Sequence, residues 1–208
     1  MHSAITRVLF LTAMFVSGFV CVGNAQYLVS TLKGQGTYVL RNGKSGVDKL
    51  TFSTREKSKL FVGGWPGGTR YEATEVQSFT IDGHTLLPAG NFDYYMGTTG
   101  LGGHEYHAEN AFIEYIDTTG YLQLALFRTA EPMGSSGMAS FAIYLLRRRG
   151  DKEFVQGPDN FQAWAKDYRL ELAEELKPWP ELQQAVRSGT ANFRTFPTYI
   201  RRANEQAR

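Results

Sequence analysis

The stretch 111–128 constrains this chain more than any other. Two runs, 111–116 and 121–127, flank Asp117-Thr118-Thr119-Gly120. That linker has turn chemistry, so the runs read as a β-hairpin. Both strands are apolar on both faces. Phe112 and Ile116 lie on one face of the first strand, Ile113 and Tyr115 on the other. Leu122, Leu124 and Leu126 oppose Ala125 and Phe127. A strand with no wet face lies inside a sheet and needs cover from above and below.

The rest of 37–156 reads as shorter strands. Residues 37–41 and 47–53 alternate apolar and polar around Asn42-Gly43 and Ser45-Gly46. Asp82-Gly83 reverses the chain between 70–82 and 85–87. Asn-Gly and Asp-Gly supply the positive φ of a tight reversal. Residues 59–62 and 140–147 read as strands, with a further short one near Phe154. Residues 63–68 read as a Gly-rich loop and 26–36 as a polar lead-in. Residues 91–109, rich in Gly, aromatics and His, show no period and read as a long loop of the functional kind.

After Gly157 the period changes. Phe161, Trp164, Tyr168, Leu172 and Leu176 fall three or four apart and make the stripe of a helix over 160–176. Asp159 reads as its N-cap and Pro158 as the boundary. Pro180 suits the start of a second helix closed by Ser188-Gly189, and Pro197 opens a third. Docked helices give the doubly apolar strands their cover. The expected fold class is therefore α+β: an antiparallel β-sheet body, open or barrel-like, with docked C-terminal helices. The expected organisation is 1–25, 26–157 and 158–208, the last two forming one structural unit.

The segment 1–25 has its own grammar. A short start ending in Arg7 precedes an apolar run over 8–22, and Gly23-Asn24-Ala25 places small residues where a signal peptidase cuts. The run is shorter than the roughly 20 residues of a spanning helix. Val20 and Phe19 before Cys21 do not suit lipid attachment. The expectation is a cleavable signal peptide, a mature chain from Gln26, no transmembrane segment after cleavage, and a periplasmic or secreted location. Cys21 is the only cysteine, so the mature chain has no disulfide and no thiol chemistry. Basic and acidic residues number 22 and 20, and removal of Arg7 leaves one basic residue in excess. No global field exists to draw nucleic acid.

Several elements also carry a resemblance: the strand pair over 36–50, the segment 71–79, the pair over 112–127, Tyr144-Leu145-Leu146-Arg147, Pro180-Glu181-Leu182 with Val186, and Tyr199 to Asn204. In this order the chain resembles a family of exported proteins of Bacteroidetes-type bacteria with no established activity. The resemblance implies a signal peptide, a β-rich body and a helical C-terminal tail. It carries over no catalytic residue.

Two constellations are candidates for chemistry. His104-Glu105-Tyr106-His107-Ala108-Glu109 offers imidazole and carboxylate ligands for a divalent metal: His104, His107, Glu105 and Glu109. The spacing is H-E-x-H, not the H-E-x-x-H that sets two histidines one helical turn apart. On a strand His104 and His107 point to opposite faces. A polar, solvated loop is the blander alternative. His84, beside its turn, reads as exposed. The second constellation is aromatic: Trp65, Tyr94, Tyr95 and Tyr106 on or near Gly-rich loops, where flat rings stack on sugars or peptide side chains. The bland alternative is rings capping the core.

Other motifs fail on detail. The Gly-rich runs 63–68 and 97–103 lack the Lys-Ser/Thr ending of a phosphate loop. Met138 stands where a nucleophile elbow at Ser136 needs glycine. Arg147–Arg149 reads as a strand end meeting solvent. The expected function is an exported, non-catalytic binding or interaction protein of the cell envelope, with an envelope protein, peptide or glycan as partner and no cofactor. The alternatives are a metal-dependent hydrolase using the His-rich segment, and an assembly partner acting through the helical tail.

Overall fold

The computed structural model describes residues 31–54, 58–98, 102–132, 138–161 and 166–207. The leader, Cys21, the cleavage site, Trp164 and most of 131–137 lie outside that description. Twelve strands precede three helices among the described residues: β1 Thr31–Leu40, β2 Ser45–Ser53, β3 Lys59–Val62, β4 Thr69–Tyr71, β5 Val76–Ile81, β6 His84–Ala89, β7 Phe92–Thr98, β8 Gly102–Ala108, β9 Ala111–Asp117, β10 Leu122–Pro132, β11 Met138–Arg148, β12 Val155–Asp159, then α1 Lys166–Glu175, α2 Pro180–Ser188 and α3 Phe196–Gln206.

Ten strands form one sheet in the order β12-β11-β10-β9-β6-β5-β1-β2-β3-β4, and β7 and β8 pair separately. Every pairing is antiparallel. The large sheet curls into a half-barrel, and with its C-terminal helices it makes the fold α+β.

The doubly apolar hairpin sits near one end of this sheet and is covered twice. Leu122, Leu124, Leu126, Ala142, Tyr144 and Leu146 pack under the helices, against Leu172, Leu176, Leu182, Val186, Phe196 and Ile200. The opposite face, with Ala125, Phe127, Ile143 and Leu145, is covered by the β7–β8 hairpin through Phe92, Tyr94 and Met96. A third cluster lines the curl itself, from Leu40, Leu50, Phe52 and Leu60 to Phe79, Ile81, Leu86 and Phe112. Burying side chains of this kind contributes about 1.5–3 kcal/mol each.

Four elements depart from sequence expectation. The strand read over 70–82 is two, β4 and β5, parted by a turn at 73–75. β1 starts at Thr31, inside the stretch read as a lead-in. Gly34 and Gly36 make that possible. A Cβ at Gly36 would lie 2.1 Å from the Thr80 carbonyl oxygen, and one at Gly34 would lie 2.4 Å from the Asp82 carboxylate. Residues 91–109 contain a hairpin, not a structureless loop, with Tyr94 opposite Tyr106 and Asp93 opposite His107. Asp159 does not cap a helix at residue 160. It ends β12, paired with Ile143, and its Oδ1 accepts from the Phe161 amide at 2.8 Å. The free edge of β11 claims these residues, and α1 begins at Lys166. The other two helices start at their prolines as the sequence indicates, and Gly189 closes α2 at φ 77°.

Candidate functional site

The β7–β8 hairpin sorts the predicted site residues by strand parity. Its inner face carries Phe92, Tyr94 and Met96, all buried. Tyr94 stacks on Tyr106 with centroids 5.5 Å apart and meets Phe127 edge-on at 5.0 Å. These two rings belong largely to the core. Its outer face carries Asp93, Tyr95, Glu105 and His107. His107 Nδ1 lies 2.6 Å from Asp93 Oδ1. The carboxylate accepts, so the ring nitrogen donates.

Helix α1 leans Tyr168 onto this outer face. The Tyr168 hydroxyl donates to Glu105 Oε1 at 2.6 Å, and its ring lies 5.5 Å from that of Tyr95. Burial pushes the Tyr168 hydroxyl up to about 12. The Glu105 hydrogen bond adds to this, as do the charges of Glu105, Glu171 and Asp93. Gln156 fixes the hairpin to the main sheet. Its side-chain oxygen accepts from the Tyr95 amide at 2.6 Å and its nitrogen donates to the Tyr95 carbonyl at 3.1 Å. One amide side chain thus replaces a rung of backbone pairing.

His104 shares the other face with Tyr106, its ring 6.5 Å away. The two histidines therefore diverge, as strand parity requires. Among the described residues no group of three or more His, Cys, Asp and Glu is placed to hold a metal ion. Trp65 is 52 % exposed and packs edge-on against Phe61 at 4.8 Å. It sits after β3, near the β4 edge of the sheet, whereas the Gln156 bracket ties the hairpin to β12 at the other edge. Trp65 and Tyr95 are thus tied to strands at opposite ends of the sheet order.

The arginine run is fully engaged. Arg147 donates to Gln123 Oε1 and the Tyr115 hydroxyl, and its guanidinium lies 4.6 Å from the Phe154 centroid. Arg148 donates to the Glu175 carbonyl and carboxylate. Arg149 donates to the Thr118 and Thr119 carbonyls. The three serve as ties between elements.

Sequence reasoning missed an ionic cluster inside the curl. His84, read as exposed, is half-buried. Its Nδ1 lies 2.6 Å from Glu114 Oε1. Arg128 Nη2 lies 2.6 Å from Glu114 Oε2, and Arg128 is 2 % exposed. The register explains the meeting: Glu114 stands opposite Leu86 on β6 and Leu126 on β10, and His84, two residues before Leu86, and Arg128, two after Leu126, flank it on the same face. A signal was present. Glu114 shares the parity of Phe112, and Arg128 that of Leu122, Leu124 and Leu126. Opposite charges at inward positions of adjacent strands announce a buried pair.

Surface cavities among the described residues lie elsewhere, two of them wide. One of about 410 Å³ is lined by Tyr121, Arg148, Pro178, Trp179, Gln206 and Ala207. The other, of about 340 Å³, lies between Arg41, Thr74, Pro88 and Asn110. No helix among the described residues is long and apolar enough to cross a membrane.

The fold and these surfaces define an α+β protein built on a curled antiparallel half-barrel. No protein-family model, curated protein sequence or solved structure matches the chain.

Proposed function

We propose that this chain is an exported, non-catalytic binding or interaction protein of the bacterial cell envelope, with the outer face of β7–β8 as its contact surface. One observation carries the reading. Tyr95 and Tyr168 present half-buried rings 5.5 Å apart, flanked by Asp93, Glu105 and Glu171, whose charges reach the Tyr168 hydroxyl. Rigid rings held by a hydrogen bond offer contact area at little entropic cost. The acidic flank favours a basic peptide segment of an envelope protein over a neutral glycan. The leader-like segment 1–25 supports export.

The test is binding of the purified protein to an immobilised array of Lys- and Arg-rich peptides and to a glycan array. Peptide binding that weakens at least tenfold in Tyr95→Ala and falls with salt supports the reading. Binding to neither array, or unchanged binding in Tyr95→Ala, refutes this surface. Turnover in a broad hydrolase panel that a single substitution abolishes would refute the non-catalytic assignment.

A further inference from the structure

The outer face of β1–β4 gathers exposed cations around an exposed indole, and the register shows how. Lys33 stands opposite Thr51, Thr51 opposite Phe61, and Phe61 opposite Arg70. Residues directly opposite share a face. This face is turned away from the curl, whose lining takes Leu50, Phe52, Leu60 and Val62 from the alternate positions. Lys49 and Val47 lie two and four residues before Thr51 on the same face. The chain leaves β3 through Gly63 and Gly64, both at positive φ, and Trp65 then packs edge-on against Phe61 at 4.8 Å. The same loop meets Lys49: a Cβ at Gly64 would lie 3.2 Å from Lys49 Cδ. One continuous surface therefore holds Lys33, Val47, Lys49, Trp65 and Arg70.

Its chemistry is of two kinds. Val47, 75 % exposed, and Trp65, 52 % exposed, are the most exposed large apolar side chains among the described residues. Lys33, Lys49 and Arg70 are exposed, and none of them has an ion-pair partner among the described residues. Lys59 is already matched, 3.9 Å from Glu72. Asp48, between Val47 and Lys49, belongs to the other face. The remaining outer positions of β1, β2 and β5 carry residues such as Gln35, Thr37, Ser78 and Thr80, and no carboxylate. Cations set around an exposed indole suit an anionic lipid surface. The charges meet headgroup phosphates, the indole takes the headgroup level, and Lys and Arg stems reach across apolar ground. The breadth of the array favours a plane over a strand. Lys33 and Arg70 stand three strand spacings apart, about 14 Å, whereas one polyanionic chain follows a single line of charge and leaves Val47 unused.

We propose that this face docks the protein on the anionic surface of a phospholipid bilayer. It lies at the other end of the sheet order from β12, to which the β7–β8 hairpin is bracketed, and does not rest on the function assigned to that hairpin.

The probes are vesicles of phosphatidylcholine alone and of phosphatidylcholine with phosphatidylglycerol, two parts to one. Adding the anionic lipid should raise the affinity of the unaltered protein in a flotation assay, and salt should reverse the gain. In Lys49→Glu with Arg70→Glu the gain should be about twentyfold smaller or more, at about fivefold per basic residue removed from the surface. Both proteins carry the same residues 1–25, so the difference belongs to the face. Lipids brominated in their acyl chains read Trp65 directly, since 1–25 hold no tryptophan. They should quench the fluorescence of the unaltered protein, and Trp65→Phe, which keeps a ring on Phe61, should remove most of that quenching. No gain from the anionic lipid, an equal gain in the double variant, or quenching undiminished in Trp65→Phe would each overturn the proposal. So would binding to heparin or single-stranded DNA that exceeds vesicle binding and depends on the same residues, which would give the face to a soluble polyanion.

Discussion

Single residues tie the layers of this protein together. Asn204 is 4 % exposed. Its Oδ1 accepts from the Leu122 amide at 2.8 Å and its Nδ2 donates to the Leu122 carbonyl at 2.9 Å. Asn204→Ala strands two buried backbone groups and should cost about 2–4 kcal/mol, read by urea unfolding. Gly120→Ala should be comparably damaging, since a Cβ there would lie 1.9 Å from Asn204 Cγ. In the ionic cluster, Glu114→Ala leaves Arg128 buried without its counter-charge and should destabilise by about 3–5 kcal/mol. Tyr168 gives a pH signature. Its folded value lies near 12, above the ordinary 10.0. Between these values the unfolded chain loses the proton and the folded chain keeps it. Its contribution therefore stays intact below about pH 10 and is lost as pH rises towards 12. Tyr168→Phe should flatten that part of the alkaline decline when urea midpoints are compared across the range.

The elements show where local pattern was enough and where it was not. Strands with clean alternation and tight turns were legible. Asp82 and Gly83 both take positive φ, at 49° and 84°, as an Asp-Gly hairpin turn requires. The β7–β8 hairpin was not legible, because Gly97 and Gly103 dilute its alternation and its inner face mixes Tyr, Met and His. Its pairing to the body depends on Gln156, some sixty residues away in sequence. Gln156→Ala should unpin the hairpin at Tyr95. Amide hydrogen exchange over 92–108 should accelerate while the β10–β11 core stays protected. The α1 boundary was displaced for a similar reason. Phe161, counted into a helical stripe, lies on Phe141 instead, with centroids 4.6 Å apart.

At the scale of the whole molecule, the helices cover the sheet. Among the described residues, seventeen buried ones from β10, β11, the helices and their connections form one cluster. Truncation after residue 165 exposes Leu122, Leu124 and Leu126 together. The truncated chain should aggregate, as read by light scattering and dye binding. A soluble, monomeric β-body would instead mark the tail as a detachable arm, the arrangement an assembly partner would use. Export has its own check: N-terminal sequencing of protein recovered from the periplasm or medium should begin at Gln26.

Sequence alone determined the fold class. Two strands apolar on both faces, followed by helices with one apolar stripe each, leave few ways to bury what must be buried. Proline and glycine at the ends of α2 marked its limits, because their backbone constraints are local. Only the tertiary structure decided which side chains meet. Strand parity sent His104 and His107 apart, as sequence already implied once a strand was granted. The meeting of His84, Glu114 and Arg128 needed the register of three strands at once, and a one-residue slip in any pairing would have turned a member outward. The aromatic residues divided on the same principle: Tyr94 went to the core and Tyr95 to the surface, since neighbours on a strand point opposite ways.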